Sequence, residues 1–148
     1  MAAERTAALD QAARHAILTE RFRTVLHVAE IPAPVMSAAG KAREPAIAGY
    51  KLEMADPGQP FQATDVIIDR SLPGHRLIAA YASSDYWLLH YEVGGVAHTF
   101  HLAVFSLHDG NARFLYHESL RPTVKGLDQL RNIVRDSKTV EGDETYFY

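Results

Sequence analysis

Three histidines stand close together in residues 86–105, YWLLHYEVGGVAHTFHLAVF. These residues, His90, His98 and His101, carry the side chain that most readily changes its charge near neutral pH. An imidazole can act as a general base or bind a metal ion when suitable partners lie within reach. What these histidines can do therefore depends on how the strands that carry them are paired.

The segment predicts a β-hairpin, because two runs of alternating residues flank the glycines at positions 94–95. Adjacent glycines are typical of a tight two-residue turn, in which both residues take a positive φ. With that turn, His90 faces Thr99 and shares a sheet face with His101. His98 then lies on the opposite, core-forming face with Trp87 and the other large apolar side chains.

Two further turns extend this register to the neighbouring strands. A two-residue turn at positions 109–110 places Glu118 opposite His101. A short turn at positions 83–84 leaves the small side chains of Ala79 and Ala103 beside the histidines, with aromatic side chains around them. We therefore predict a small-molecule pocket on this second sheet face. Its residues are His90, His101, Glu118, Thr99, Tyr116 and Tyr86.

The same residues support a second interpretation, in which the second sheet face carries a reactive site. His90, His101 and Glu118 would hold a transition metal, or one histidine would act as a general base that the glutamate orients. Against this, the sequence has no glycine-rich phosphate loop, HExxH, GxSxG or SxxK motif. We therefore expect that the protein is not an enzyme and that it has neither a cofactor nor a resident metal.

Composition limits the class of protein further. The 148 residues are 47% hydrophobic and 22% charged, which is typical of one globular domain spanning residues 1–148. The net charge of -3 gives no expectation of nucleic-acid binding. No cysteine is present, which excludes disulfides and thiolate nucleophiles. Without an apolar segment of membrane-spanning or signal-peptide length, the sequence predicts a cytoplasmic protein that does not enter a membrane.

The first 49 residues predict one helix and one irregular connection. Apolar residues at three-and-four spacing predict a long helix over residues 6–29, or a helix that breaks near Thr24. A strand at residues 22–28, FRTVLHV, is the alternative. Residues 31–49 are rich in proline and alanine, which favours an irregular surface connection or a lid.

The rest of the chain predicts strands and a final helix. The chain predicts strands at residues 50–54, 64–71, 75–81, 86–93, 96–107 and 112–119. The connections between the last four are short, which requires antiparallel pairing. Residues 121–138 predict a helix capped by Thr123. The predicted fold is α+β: a curved antiparallel β-meander of five or six strands, with the N-terminal and C-terminal helices packed on its Trp87 face.

These predictions favour a non-catalytic binding or interaction domain. The second sheet face would bind a small ligand, pair with another copy of the chain, or lie beneath residues 31–49. The acidic and aromatic tail, residues 139–148, would add an edge strand or dock on a neighbour through Tyr146, Phe147 and Tyr148. An inhibitor-type or immunity-type protein is a further alternative, because the size and mild acidity of the chain fit such a protein.

Overall fold

The computed structural model describes residues 9–64 and 69–137. Within these residues the chain forms three α-helices and six strands. In chain order they are α1 (Gln11–Thr19), β1 (Arg23–Val25), α2 (Ala33–Arg43), β2 (Met54–Ala55), β3 (His75–Ala82), β4 (Tyr86–Val93), β5 (Thr99–His108), β6 (Asn111–Leu120) and α3 (Gly126–Asp136). A short 3-10 helix, Val28–Glu30, lies between β1 and α2.

The strands form one open sheet in the order β1-β3-β4-β5-β6. Strands β3 to β6 follow one another as an antiparallel meander, so the predicted α+β fold is confirmed. Strand β1 pairs antiparallel with the end of β3, whereas β2 pairs parallel with its beginning. The antiparallel pairing of the meander follows from its short connections, as the sequence predicts.

The N-terminal helix is shorter than predicted. The Asp10 side chain caps α1 by accepting a hydrogen bond from the backbone N–H of Ala13, at 2.8 Å. The helix ends at Thr19, and Arg23–Val25 forms an edge strand instead of a further helical turn. Val25 becomes buried beside β3, so ladder bonds and burial at this edge replace the helical bonds that the apolar spacing alone predicts.

The two sheet faces are covered by different helices. Helix α2 lies on the face of Trp87, Leu89 and Tyr91, while α1 and α3 cover the face of Leu88 and Leu102. The prediction that the N-terminal and C-terminal helices cover the Trp87 face is therefore wrong. We refer below to the α2 face and the α1/α3 face of the sheet.

Helix α2 lies inside the segment predicted to be an irregular connection, residues 31–49. Its prolines, Pro32 and Pro34, stand at the N-cap and in the first turn, where a helix does not use the missing backbone N–H. Val35 and Ala39 then face the sheet and are buried. This segment does roof a sheet face, but it is the Trp87 face and not the predicted one.

The hairpin between β4 and β5 has a longer loop than predicted. Val93 pairs with Thr99, which leaves five residues in the connection. Gly94 continues the sheet instead of turning, because its N–H donates to the carbonyl of Gly74 at 3.0 Å. A side chain at Gly94 would collide with the carbonyl oxygen of Gln62. The glycine therefore serves a close backbone approach, and the predicted register is wrong by three residues.

The hairpin between β5 and β6 has the predicted turn but a different register beyond it. Asp109 and Gly110 both have positive φ, 49° and 76°, and form a two-residue turn. A β-bulge further along places one extra residue, Leu115, in β6. Ser119 consequently faces His101, and the predicted pairing of Glu118 with His101 is wrong.

The turn between β3 and β4 is also displaced. The N–H of Ser83 donates to the carbonyl of Tyr86 at 3.0 Å, so Ser84 and Asp85 are the central turn residues. Ala79 consequently pairs with His90, whereas a turn at positions 83–84 would set Leu77 opposite it.

Several predicted segments lie partly or wholly outside the described residues. They are the beginning of the predicted N-terminal helix, the middle of the predicted strand at residues 64–71, namely 65–68, and the tail at residues 139–148. Of the strand predicted at residues 50–54, only Met54 is in a strand, which is β2. None of the described helices is long and apolar enough to cross a membrane.

Candidate functional site

The two central residues of the predicted pocket lie on opposite faces of the sheet. His90 pairs with Leu102 and points with it toward α1 and α3, whereas His101 pairs with Tyr91 on the α2 face. A three-residue change of register moves every side chain of β5 to the other face relative to β4. His90 and His101 therefore do not form one site.

The remaining predicted residues divide between the same two faces. Glu118 pairs with Leu102, so β5 separates it from His90 on the α1/α3 face, where Tyr86 and Tyr116 also lie. Thr99 lies on the α2 face beside His101. Among the described residues, no group of three or more histidine, aspartate or glutamate side chains could hold a metal ion. The combination of His90, His101 and Glu118 is therefore not a metal centre in this fold.

The structure instead brings four ring side chains together on the α2 face, one from each strand of the meander. This row of rings consists of His75, Tyr91, His101 and His117, all of which are buried. Tyr91 stacks on His101 with ring centroids 5.3 Å apart, and His101 stacks on His117 at 5.1 Å. The row therefore crosses the whole meander beneath α2.

Hydrogen bonds join part of this row into a chain. The Thr99 hydroxyl lies 2.7 Å from Nε2 of His101, and Nδ1 of His101 lies 2.9 Å from Nε2 of His117. A neutral imidazole carries one N–H and one lone pair, so His101 donates through one nitrogen and accepts through the other. The Thr99 hydroxyl can complete the chain in either direction, because it both donates and accepts.

Burial keeps the two linked histidines neutral. It lowers the pKa of His101 to about 4, with a smaller contribution from nearby His75. Burial also lowers the pKa of His117 to about 3, and His101 lowers it further. Both rings are thus weak bases that are 2% exposed, and they are hydrogen-bonded to each other. This arrangement stabilises one packing of the sheet beneath α2 and is poorly placed to take a proton from a substrate.

A second polar cluster lies at the same end of the sheet, on the α1/α3 face. Oε1 of buried Glu92 lies 3.0 Å from Nη2 of Arg76 and 2.8 Å from Nε2 of His98. The Arg76 guanidinium also lies over the ring of Phe61, 4.2 Å from its centroid, and donates to the carbonyl of Gln59. These contacts hold the 59–62 segment and the 94–98 loop against the sheet.

His90 differs from the other buried histidines. It is 1% exposed, and neither of its ring nitrogens has a hydrogen-bond partner among the described residues. Burial lowers its pKa, although the Glu92 charge acts in the opposite direction. His90 is therefore a neutral imidazole surrounded mainly by apolar side chains of the α1/α3 face.

The two edges of the sheet are unequal. On one side, β1 and β2, of three and two residues, share the outer edge of β3. On the other side, the ten-residue strand β6 pairs with β5 and with no other strand that the structure describes. A long edge strand presents a row of backbone donors and acceptors that another extended chain can pair with. We take the outer edge of β6 as the candidate interaction site.

Side chains along β6 fit such a role. Phe114, Leu115 and Leu120 are only half-buried, although each packs partly against the core. Arg113 is exposed, and the Glu118 carboxyl is half-buried. Burial raises the pKa of Glu118, which shows that its charged form is poorly solvated. The edge thus combines apolar surface with one cation and one anion.

No family model matches the sequence, and no curated protein or solved structure shows significant similarity to it. The geometry of the sheet and its edge is therefore the basis for the function proposed below.

Proposed function

We propose that this protein is a non-catalytic interaction domain that binds an extended strand of a protein partner along β6. The observation that carries the proposal is the ten-residue length of this edge, whose outer side is not paired by any described strand. Strand addition to an open sheet edge is a recurrent mode of protein recognition. Backbone hydrogen bonds supply affinity in this mode, and the side chains beside them supply specificity.

Both faces of the sheet support an edge-directed mode of binding. Helix α2 covers one face, and α1 with α3 covers the other. The histidines most suited to chemistry, His101 and His117, are buried and bonded to each other beneath α2. A partner would thus meet the β6 edge more readily than either face. This differs from a pocket or dimer interface on the second sheet face, which the sequence predicts.

The opposite edge is a poor alternative for strand addition. Strands β1 and β2 are too short to guide a long partner, and short edge strands are one way in which proteins discourage pairing. On β6, the bulge at Leu115 and the charges of Arg113 and Glu118 restrict which partner fits. We therefore propose selective strand addition rather than general stickiness.

Peptide selection against the immobilised protein tests this proposal. Extended peptides selected from a random-sequence phage library should shift the amide NMR signals of β6 on binding. The variant Ala112→Pro, which removes a donor on the outer side of β6, should bind them more weakly. Ala112→Ser is the matched control and should bind as the parent does. Binding that shifts signals on another surface, and that Ala112→Pro leaves unchanged, would exclude the β6 edge.

A further inference from the structure

We infer that the strand added to β6 is β6 of a second copy of this chain, antiparallel across a two-fold axis. This inference rests on the proposed function, since it names the partner of the same edge. Closed two-fold dimers are the commonest symmetric assemblies, and their interfaces must be self-complementary. A dimer of this kind therefore requires a register in which β6 pairs with itself.

The first requirement is that outward backbone groups meet outward backbone groups. Residues of an antiparallel strand direct their N–H and C=O alternately toward one neighbour and the other. The two-residue turn pairs Asn111 with His108 across the hairpin, so Ala112 and Phe114 direct these groups outward. The bulge at Leu115 shifts the alternation by one residue, so His117 and Ser119 direct theirs outward.

One antiparallel register brings all four of these residues opposite one another. It pairs Ala112 with the partner's Ser119 and Phe114 with the partner's His117. The two-fold axis then passes between Leu115 and Tyr116, where apolar side chains from both copies meet. A shift of this register in either direction sets outward residues against inward ones, which breaks the shared ladder. The bulge thus selects one self-complementary pairing.

The charged residues of β6 agree with that register independently. Arg113 pairs with Ser106 and Glu118 pairs with Leu102, and both β5 residues lie on the α1/α3 face. Arg113 and Glu118 therefore project from the same side of the sheet. In the self-complementary register each Arg113 stands opposite the partner's Glu118, which gives two ion pairs for each dimer. Opposite charges directly across an antiparallel pair are stabilising, and like charges are destabilising.

Neither charge is matched within the described part of the chain. Among the described residues, Arg113 and Glu118 make no hydrogen bond or ion pair with another side chain. The half-buried Glu118 carboxylate would gain a cation on dimerisation. Leu115 and Phe114, which are half-buried, would lose further exposure at the same interface. This one pairing therefore gives the charged residues partners and buries the apolar surface of the edge.

Charge reversal with sedimentation equilibrium tests this register on the full chain. We expect the parent protein to dimerise, and Arg113→Glu or Glu118→Arg alone to raise the dimer dissociation constant about tenfold or more. The double variant Arg113→Glu/Glu118→Arg restores opposite charges across the axis, so its dissociation constant should return close to that of the parent. Arg21→Glu makes the same charge change at an exposed position next to β1, at the opposite edge of the sheet, and is the matched control.

Hydrogen exchange of the outward β6 amides separates failure of this inference from failure of the proposed function. A monomer whose outward amides exchange rapidly overturns the dimer but leaves the edge open to another partner. A monomer whose outward amides are protected means that the chain covers its own edge, and this result overturns both proposals. A dimer that neither single charge reversal weakens must use another surface or register, and it also overturns the inference.

Discussion

Nδ1 of His101 lies 2.9 Å from Nε2 of His117, and both rings are buried beneath α2. At this distance the N–H of one ring donates a hydrogen bond to the lone pair of the other, so at least one of the two rings must be neutral. Two protonated rings would instead set two donors and two positive charges against each other. The stability of the sheet is therefore linked to the neutral state of this pair.

Acid should destabilise the protein well above the pH at which these histidines titrate in the folded state. Their pKa values are about 4 and about 3, below the ordinary value of 6.5. The folded state thus favours the neutral rings, and the stabilisation is complete above pH 6.5 and is lost as pH falls toward those values. Each ring adds a slope of about 1.4 kcal/mol per pH unit in this range. Urea unfolding from pH 7 to pH 4.5 measures it.

The control for this titration is His117→Gln, which removes one titrating ring while retaining a polar side chain. Its unfolding free energy should fall less steeply over the same pH range. An identical slope for the parent and the variant would assign the acid sensitivity to other groups.

Replacement by leucine should change the stability of the protein in opposite directions at two buried histidines. His101→Leu leaves Thr99 and His117 without their common partner, so the free energy of unfolding should fall by about 2 kcal/mol. His90→Leu removes ring nitrogens that have no partner among the described residues, so stability should rise by about 1 kcal/mol. Guanidinium denaturation at pH 7 measures both. A large loss for His90→Leu would show that a partner, such as bound water, satisfies its nitrogens.

Two glycines at the same end of the sheet offer a matched pair. In Gly94→Ala the new methyl group meets the backbone of residues 62–63, so stability should fall by about 2 kcal/mol or more. In Gly74→Ala the methyl group has no atom within 4 Å, and the change should stay within about 0.5 kcal/mol. Thermal unfolding ranks the two variants. Equal melting temperatures would mean that the 62–63 segment does not lie against Gly94 in solution.

The Glu92 carboxylate should matter more than an exposed acid beside a histidine. Glu92→Gln keeps the shape of the side chain but loses the charge that Arg76 and His98 contact, so stability should fall by about 1–2 kcal/mol. Asp109→Asn removes an 86% exposed carboxylate near His108 and should change little. Denaturation of both variants in low salt and in roughly 0.5 M salt would distinguish a buried interaction from a surface interaction that salt screens.

The strands of the meander and their antiparallel order were predictable from local sequence, whereas their register was not. Alternation and turn residues place β4 at the predicted residues, and the Asp109 and Gly110 turn has the predicted form. The β4–β5 register depends on Gly94 lying against residues 62–63, a contact between distant parts of the chain that periodicity does not reveal. Helix α2 escaped prediction because its prolines were interpreted as helix breakers, although they occupy positions where helices accept proline.

The position of His117 beside His101 on the α2 face is not predicted from the sequence, although β6 contains a signal for it. Phe114, Leu115 and Tyr116 are three consecutive large apolar residues, and regular alternation cannot place all of them on one face. Such a run is consistent with a bulge, which sends Glu118 to one face and His117 to the other. A prediction made without the bulge therefore places Glu118, and not His117, on the face of His101.

The order of elements along the chain has a consequence for synthesis on the ribosome. Helices α1 and α2 are made first, but they pack against strands that end at Leu120. Until the meander emerges, the apolar sides of both helices lack their partners, and contacts between distant residues form late because loop closure must precede them. The nascent chain therefore exposes Ile17 and Val35 until the meander strands that cover them have left the ribosome.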